Sequence, residues 1–142
     1  MRIAYRGNFQ PGEPDPWSTE TEIAWALRAL GHEVVPCQED RVDWSEQTRI
    51  ANAADLFLWT RTASMDVHPG AIDALGKMKV PTVGVHLDKW WGLDRASAIS
   101  TEAFFRLDIV ATADGDAPWH ELGVNHVWFP PAVGERHCWL AE

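Results

Sequence analysis

The sequence predicts an α/β fold: a three-layer, Rossmann-like sandwich with a mostly parallel sheet of about six strands. Three observations carry this. Short apolar runs alternate with helical signals along the whole chain, and such alternation implies right-handed βαβ crossovers and parallel pairing. One run, Asp55-Leu56-Phe57-Leu58-Trp59, is almost continuously apolar, as suits a strand covered on both faces. The chain has 142 residues, 46% hydrophobic and 23% charged, enough for one domain with a substantial core.

Arg2 to Gly7 reads as the first strand, and a polar, proline-rich loop from Asn8 to Trp17 follows it. Ser18-Thr19-Glu20-Thr21-Glu22 opens a helix, with Thr19 as N-cap and Glu22 completing a capping box. Ile23, Ala26, Leu27 and Leu30 supply its apolar face at helical spacing, and Gly31 stops it as a C′ glycine. His32 to Pro36 is the second strand. Asp43 or Ser45 starts a second helix running through Ala51, and Asp55–Trp59 is the third strand. Pro69 to Met78 reads as a helix with Pro69 and Gly70 in its first turn. Thr82–Leu87 is the fourth strand, Glu102–Phe105 is helical and Asp108–Thr112 is the fifth strand. Pro118–Leu122 is a short helix ending at Gly123, and His126–Phe129 is the sixth strand, closed by Pro130-Pro131. Residues 1–133 thus form one domain, and 134–142 read as a linker-like tail.

Composition narrows the function classes. The net charge is −9, from 12 basic and 21 acidic residues, which argues against a module that grips nucleic acid by its phosphates. A DNA acceptor stays open only through a local basic cleft. Cys37 and Cys138 build neither a disulfide framework nor a zinc knuckle, so a reducing, cytoplasmic setting is expected. The first ten residues lack the apolar core of a signal peptide, and no run approaches the ~18 apolar residues of a membrane span. His120, His126 and His137 fall at no diagnostic metal-ligand spacing, so no metal is expected. Cys37 has no basic neighbour in sequence to activate it, and no GxSxG elbow occurs. Nine tryptophans serve cores or ligand surfaces.

In parallel sheets, ligands bind outside the carboxyl ends of the strands, and that rule selects the loops to read. The loop after strand one has no GxGxxG, and GxxxxGK[ST] is absent throughout, so a dinucleotide or P-loop site is unsupported. That loop delivers Trp17, Ser18 and Thr19 to a helix N-terminus, for capping or for holding a ligand hydroxyl or phosphate. After strand three, Arg61 and Thr62 offer charge and hydroxyls to an anion or a carbohydrate, or sit on a solvated surface. After strand four, His86 and Asp88 share one strand face and fit a general base with its orienter. Trp90 and Trp91 beside them form a stacking platform or seal the core. Asp114, after strand five, accepts hydrogen bonds from a ligand or forms a turn before Gly115.

Several of these blocks are familiar together: Met1-Arg2-Ile3-Ala4-Tyr5 with Asn8, Trp17-Ser18-Thr19-Glu20, and Ala29-Leu30-Gly31-His32-Glu33-Val34. So are His86-Leu87-Asp88 with Trp91-Gly92-Leu93, Thr112-Ala113-Asp114-Gly115, and Gly123-Val124-Asn125-His126-Val127-Trp128 before Pro130-Pro131-Ala132. On them the sequence resembles the N-terminal half of GT-B type glycosyltransferases, particularly the glycosyltransferase-like proteins of actinobacterial phages and bacteria. The resemblance covers nearly the whole chain. It implies an acceptor-side domain that works with a nucleotide-sugar donor as co-substrate and a hydroxyl acceptor, without a further cofactor. It implies His86 or Asp88 as the base for the acceptor hydroxyl. Trp17, Ser18, Thr19, Arg61, Thr62, Trp90, Trp91 and Asp114 would then line the acceptor side. It also implies that donor binding falls to a further domain or a second chain, and a host-cytoplasm location for a phage-encoded member.

A second class of function competes with this: a non-catalytic Rossmann-like module that binds a nucleotide, a sugar or a protein partner, as a monomer or a symmetric dimer, with the apolar Cys138-Trp139-Leu140 available to an interface. A receiver domain is disfavoured, because it wants acids after strand one and an Asp ending strand three, where this chain has Gly7-Asn8 and Thr60-Arg61.

Overall fold

The apolar runs form six short strands: β1 (Arg2–Gly7), β2 (Glu33–Gln38), β3 (Leu56–Thr60), β4 (Thr82–His86), β5 (Ile109–Thr112) and β6 (His126–Trp128). They belong to a computed structural model that describes residues 1–10, 18–61, 70–86, 95–113, 115 and 117–130. The strands make one sheet in the order β2-β1-β3-β4-β5-β6, and every pairing is parallel. A parallel neighbour can be reached only by a crossover. The crossovers carry helices α1 (Thr19–Ala29), α2 (Trp44–Ala51), α3 (Ala71–Leu75), α4 (Arg95–Thr101) and α5 (Ala117–Glu121), with a 3₁₀ turn at Ala103–Arg106. The α/β, Rossmann-like class is therefore as the sequence predicts.

Strand order and handedness together assign the layers. The chain steps from β1 to β2 in one direction and from β2 to β6 in the other. Right-handed crossovers then put α1 on one face and the later helices on the opposite face. The core divides accordingly, by the alternation of side chains along each strand. On the α1 face, Ile3, Tyr5, Leu58, Val85 and Ala111 meet Ala24, Ile23 and Leu27. On the other face, Ala4, Phe57, Trp59 and Val110 meet Trp44, Ala51, Ala74, Leu75, Phe104 and Trp119.

Local chemistry corrects several boundaries. Ser18, not Thr19, is the N-cap of α1, and its hydroxyl accepts from the Thr21 amide at 3.2 Å. Thr19 is the first helical residue and is exposed. The buried stripe of α1 is also rotated from the expected one. Leu30 and Ala26 are exposed, and the stripe runs Glu20, Ile23, Ala24, Leu27, which is the i, i+3, i+4, i+7 spacing of a core-facing helix. Gly31, at φ +84°, ends α1 as expected.

Asp43 caps α2 through its side chain, which accepts from the Glu46 amide at 2.8 Å. The third helix is shorter than its sequence pattern, because Gly70 in the left-handed region starts it and Gly76 ends it; Pro69 lies outside the described residues. The sequence gives no apolar period at 95–101, and α4 there was unforeseen; its last turn is instead back-bonded by Ser100 and Thr101 hydroxyls to the Ser97 carbonyl. Residues 103–106 turn as a 3₁₀ segment rather than an α-helix.

Two features hold the layers at close range. An ideal Cβ on Gly84 would stand 2.5 Å from Phe104 and 2.6 Å from Leu107, so β4 needs glycine there to let the 3₁₀ turn seat. The amino ends of the strands are tied by side chains. Asp55 accepts from the Arg2 amide at 2.7 Å, and Asp108 accepts from both the amide and the hydroxyl of Thr82 at 2.9 Å.

Gly84→Ala should therefore overpack the interface between β4 and Phe104. Overpacking of this kind costs about 1–3 kcal/mol, a fall in Tm of roughly 3–10 °C for a domain of this size. Thermal unfolding followed by circular dichroism checks it, and an unchanged Tm would mean that Phe104 swings away freely.

Candidate functional site

The strand order reverses direction at β1. Its neighbours β2 and β3 follow from crossovers on opposite faces, so the loops leaving β1 and β3 diverge. This is the topological switch point, where open α/β sheets place their ligands. The side chains there come from the ends of β1, β3 and β4 and the start of α1.

Tyr5 is fully buried, and its hydroxyl pairs with that of Thr60 at 2.6 Å. Burial pushes the Tyr5 phenol far above its ordinary range, so it stays protonated and acts as a neutral hydrogen-bonding group. Glu20 sits in the first turn of α1 and is 3% exposed. Burial raises its carboxyl above the ordinary glutamate range, opposed by hydrogen bonds from the α1 amide end, the Asn8 amide and Ser18; Glu39 adds a like charge. Its side chain lies across Gly7, where an ideal Cβ would stand 2.5 Å from the Glu20 Cγ. Gly7 thus leaves room for a carboxyl between β1 and α1.

On the other side of the strand ends, Arg61 pairs with Glu102 at 2.7 Å, the two side chains being 13% and 22% exposed. Arg61 is therefore neither a solvated surface arginine nor a lone anion receptor. His86, 4% exposed, points its Nδ1 at the Arg61 carbonyl oxygen, 3.1 Å away. A carbonyl only accepts, so Nδ1 carries the hydrogen, and a neutral ring then has its lone pair on Nε2. That is the tautomer a general base requires. The ring also meets the edge of Phe104, with centroids 6.3 Å apart.

The structure thus brings together four of the sequence-predicted residues at one end of the sheet: Ser18, Thr19, Arg61 and His86. Asp88, Trp17, Thr62, Trp90, Trp91 and Asp114 lie outside the described residues. Sequence reading missed Glu20, Glu102, Tyr5 and Thr60. Glu20 had a usable signal, since an acid at position i of the stripe Glu20-Ile23-Ala24-Leu27 faces the core. Glu102 had none, because its partner is 41 positions away.

Further along the sheet, His126 is buried, stacks on Trp119 and shares a 2.9 Å hydrogen bond with the Thr112 hydroxyl. His120 donates to the His126 carbonyl at 2.9 Å. His126 is thus a satisfied part of the core edge, and the exposed His120 lies against it from outside. Cys37 is buried, and burial pushes its thiol upward, against a reactive role. Among the described residues, no group of three His, Cys, Asp or Glu side chains gathers to hold a metal ion. No helix among them is long and apolar enough to cross a membrane.

No family model matches the chain, and no curated protein matches it. Among solved structures, a formate dehydrogenase from Granulicella M. is similar over 92% of this chain and 37% of its own, at 13% identity and a TM-score of 0.42. The chain therefore spans little more than a third of that enzyme, and a likeness so remote carries no argument about function.

The raised Glu20 carboxyl has a signed consequence. The folded state favours its protonated form, so its stabilising contribution is fully present below the unfolded value and is lost as pH rises through the folded one. Relative to Glu20→Gln, the wild type should lose stability across that window and no further above it. Denaturant unfolding at a series of pH values, subtracting one protein from the other, checks this. A gap that is flat or of opposite slope would contradict the burial of the carboxyl.

Proposed function

We propose that this chain is the acceptor-side half of a GT-B type glycosyltransferase, which presents an acceptor hydroxyl to a nucleotide-sugar donor held by a separate domain or chain. The observation that carries this reading is the convergence of His86, the Arg61–Glu102 pair, the Tyr5–Thr60 hydroxyls and the Glu20 carboxyl at the carboxyl ends of β1, β3 and β4. Polar and ionisable side chains thus gather at the strand ends where open α/β sheets bind their ligands, and the first loop has no phosphate-binding glycine pattern. The resemblance in sequence adds its weight on the same segments.

In this reading His86 accepts the proton of the acceptor hydroxyl on Nε2, and the Arg61 carbonyl holds the ring by its Nδ1 hydrogen. Deprotonating the hydroxyl as it attacks the anomeric carbon makes it a competent nucleophile. Asp88 is the alternative base, and Trp17, Trp90, Trp91, Thr62 and Asp114 are the proposed acceptor contacts on the neighbouring loops.

A thermal-shift panel tests the division of labour. An uncharged glycan at ~100 times its Kd stabilises by about 2.7 kcal/mol, a rise of roughly 5–10 °C, whereas nucleotide sugars should leave the chain unmoved. A response to nucleotide sugars alone would make this the donor side and overturn the reading. In an assembly completed by the donor-binding half, His86→Ala should lower kcat/KM by about 10²–10⁴-fold. Unchanged turnover in both His86→Ala and Asp88→Ala would remove the proposed base.

A further inference from the structure

We infer that two copies of this chain associate edge to edge through β6, as a two-fold dimer centred on Trp128. The sheet ends in two outer strands, β2 and β6, and they are built differently. An outer strand offers N–H and C=O groups to any other strand, and proteins guard such edges with proline and charge. β2 is guarded: Pro36 lies exposed within it, and Glu33 at its start is ion-paired to Arg2. β6 holds neither device. Its exposed side chains are Val127 and Trp128, at 50% and 55%, with Phe129 at 37% just beyond. Residues 125–130 contain no Asp, Glu, Lys or Arg, in a chain of net charge −9. Two like-charged copies therefore meet here without the repulsion that keeps such chains apart elsewhere.

The ladder to β5 fixes which backbone groups face outward. Val110 donates to the Asn125 carbonyl, and Phe129 donates to the Thr112 carbonyl. Alternate residues of the last strand thus face β5, and His126 and Trp128 turn their backbone groups away from the sheet. The His126 carbonyl accepts from the His120 ring at 2.9 Å. Trp128 keeps both an N–H and a C=O on the open side, with no partner for them among the described residues.

A second copy fits this edge in one register. With Trp128 on the two-fold axis, two antiparallel β6 strands place Trp128 opposite Trp128, and such a pair exchanges both backbone hydrogen bonds. Val127 then stands opposite Phe129 of the second copy, twice, and β-branched and aromatic side chains pair well across strands. His126 stands opposite Pro130. Proline has no N–H to donate, and the His126 carbonyl facing it is already served by His120. Val127, Trp128, Phe129 and Leu122, itself 41% exposed just before β6, open roughly 300–400 Å² of apolar surface per copy, on the scale of ~150–250 Å² for a whole aromatic side chain. A standard interface takes about 450 Å² of apolar surface from each partner. The dimer is therefore weak, and it is closed, because the guarded β2 offers no second edge from which a fibre could grow.

The test is sedimentation equilibrium of the full chain from about 10 µM to about 1 mM, with amide exchange of Trp128 followed by NMR over the same range. Monomer should give way to dimer, and the Trp128 amide should exchange more slowly as the dimer forms. Trp128→Glu should weaken association at least ~tenfold, since it sets two like charges at the centre of the contact, and Val127→Lys should do the same. Both side chains are exposed, and Val127→Lys carries the test if circular dichroism shows Trp128→Glu unfolded. A chain that stays monomeric throughout would overturn the inference, and so would a dimer that both variants leave intact. Trp128 amide protection that does not change with concentration would put a segment of the same chain on the edge, and would overturn it too.

Discussion

The Arg6 guanidinium, buried in strand β1, is the interaction on which the rest of this molecule is arranged. It is 2% exposed, donates to the carbonyls of Val42 at 2.7 Å and Glu39 at 2.8 Å, and lies 4.2 Å from the Trp44 ring centre. Taking a charge from water costs several kcal/mol. Burial here does bear against the charged form, and Glu39 and Asp43 offset part of that cost. What the arrangement gains is position, because Arg6 ties the middle of the sheet to the turn that launches α2. Its neighbours divide the remaining work. Tyr5 reaches Thr60 at the end of β3, and Gly7 makes room for Glu20 on α1. Three consecutive residues of one strand thereby fix both layers and the switch point between them.

The two ends of the sheet are built differently, and the difference separates stability from function. At the amino ends, Asp55 and Asp108 accept from the backbone of β1 and β4 and close the turns there. At the carboxyl ends, the polar groups gather around the switch point and are tuned against one another. Burial holds Tyr5 protonated and pulls Glu20 toward its neutral form, while Arg61 and His86 are oriented through Glu102 and a backbone carbonyl.

Much of the fold is legible in the sequence because it rests on local signals. Apolar runs such as Leu56–Trp59, the caps at Asp43 and Gly31, and the alternation of strand and helix all act within a few residues. The errors have physical causes too. Ser18 outcompeted Thr19 for the cap, since either hydroxyl fits and the backbone turn decides. The stripe of α1 differs because Leu30 looks like core but is the C-cap, past the last helical turn and 73% exposed, whereas Glu20 looks like a helix-end acid but is buried. The candidate site was legible only in its strand-end residues, Arg61 and His86. Its other half depends on contacts such as Arg61–Glu102 and Tyr5–Thr60, between positions tens of residues apart, which no spacing rule reveals.

The central claim is that the carboxyl end of β1, β3 and β4 receives an uncharged acceptor. The most direct measurement is amide NMR of the isotopically labelled chain, titrated with an uncharged disaccharide such as cellobiose and separately with a nucleotide sugar. The account predicts that the disaccharide moves the amides of Gly7, Asn8, Ser18, Arg61 and His86 while those near Asp55 and Asp108 stay still. Movement confined to the amino ends of the strands, or movement at the carboxyl ends with the nucleotide sugar alone, would contradict it.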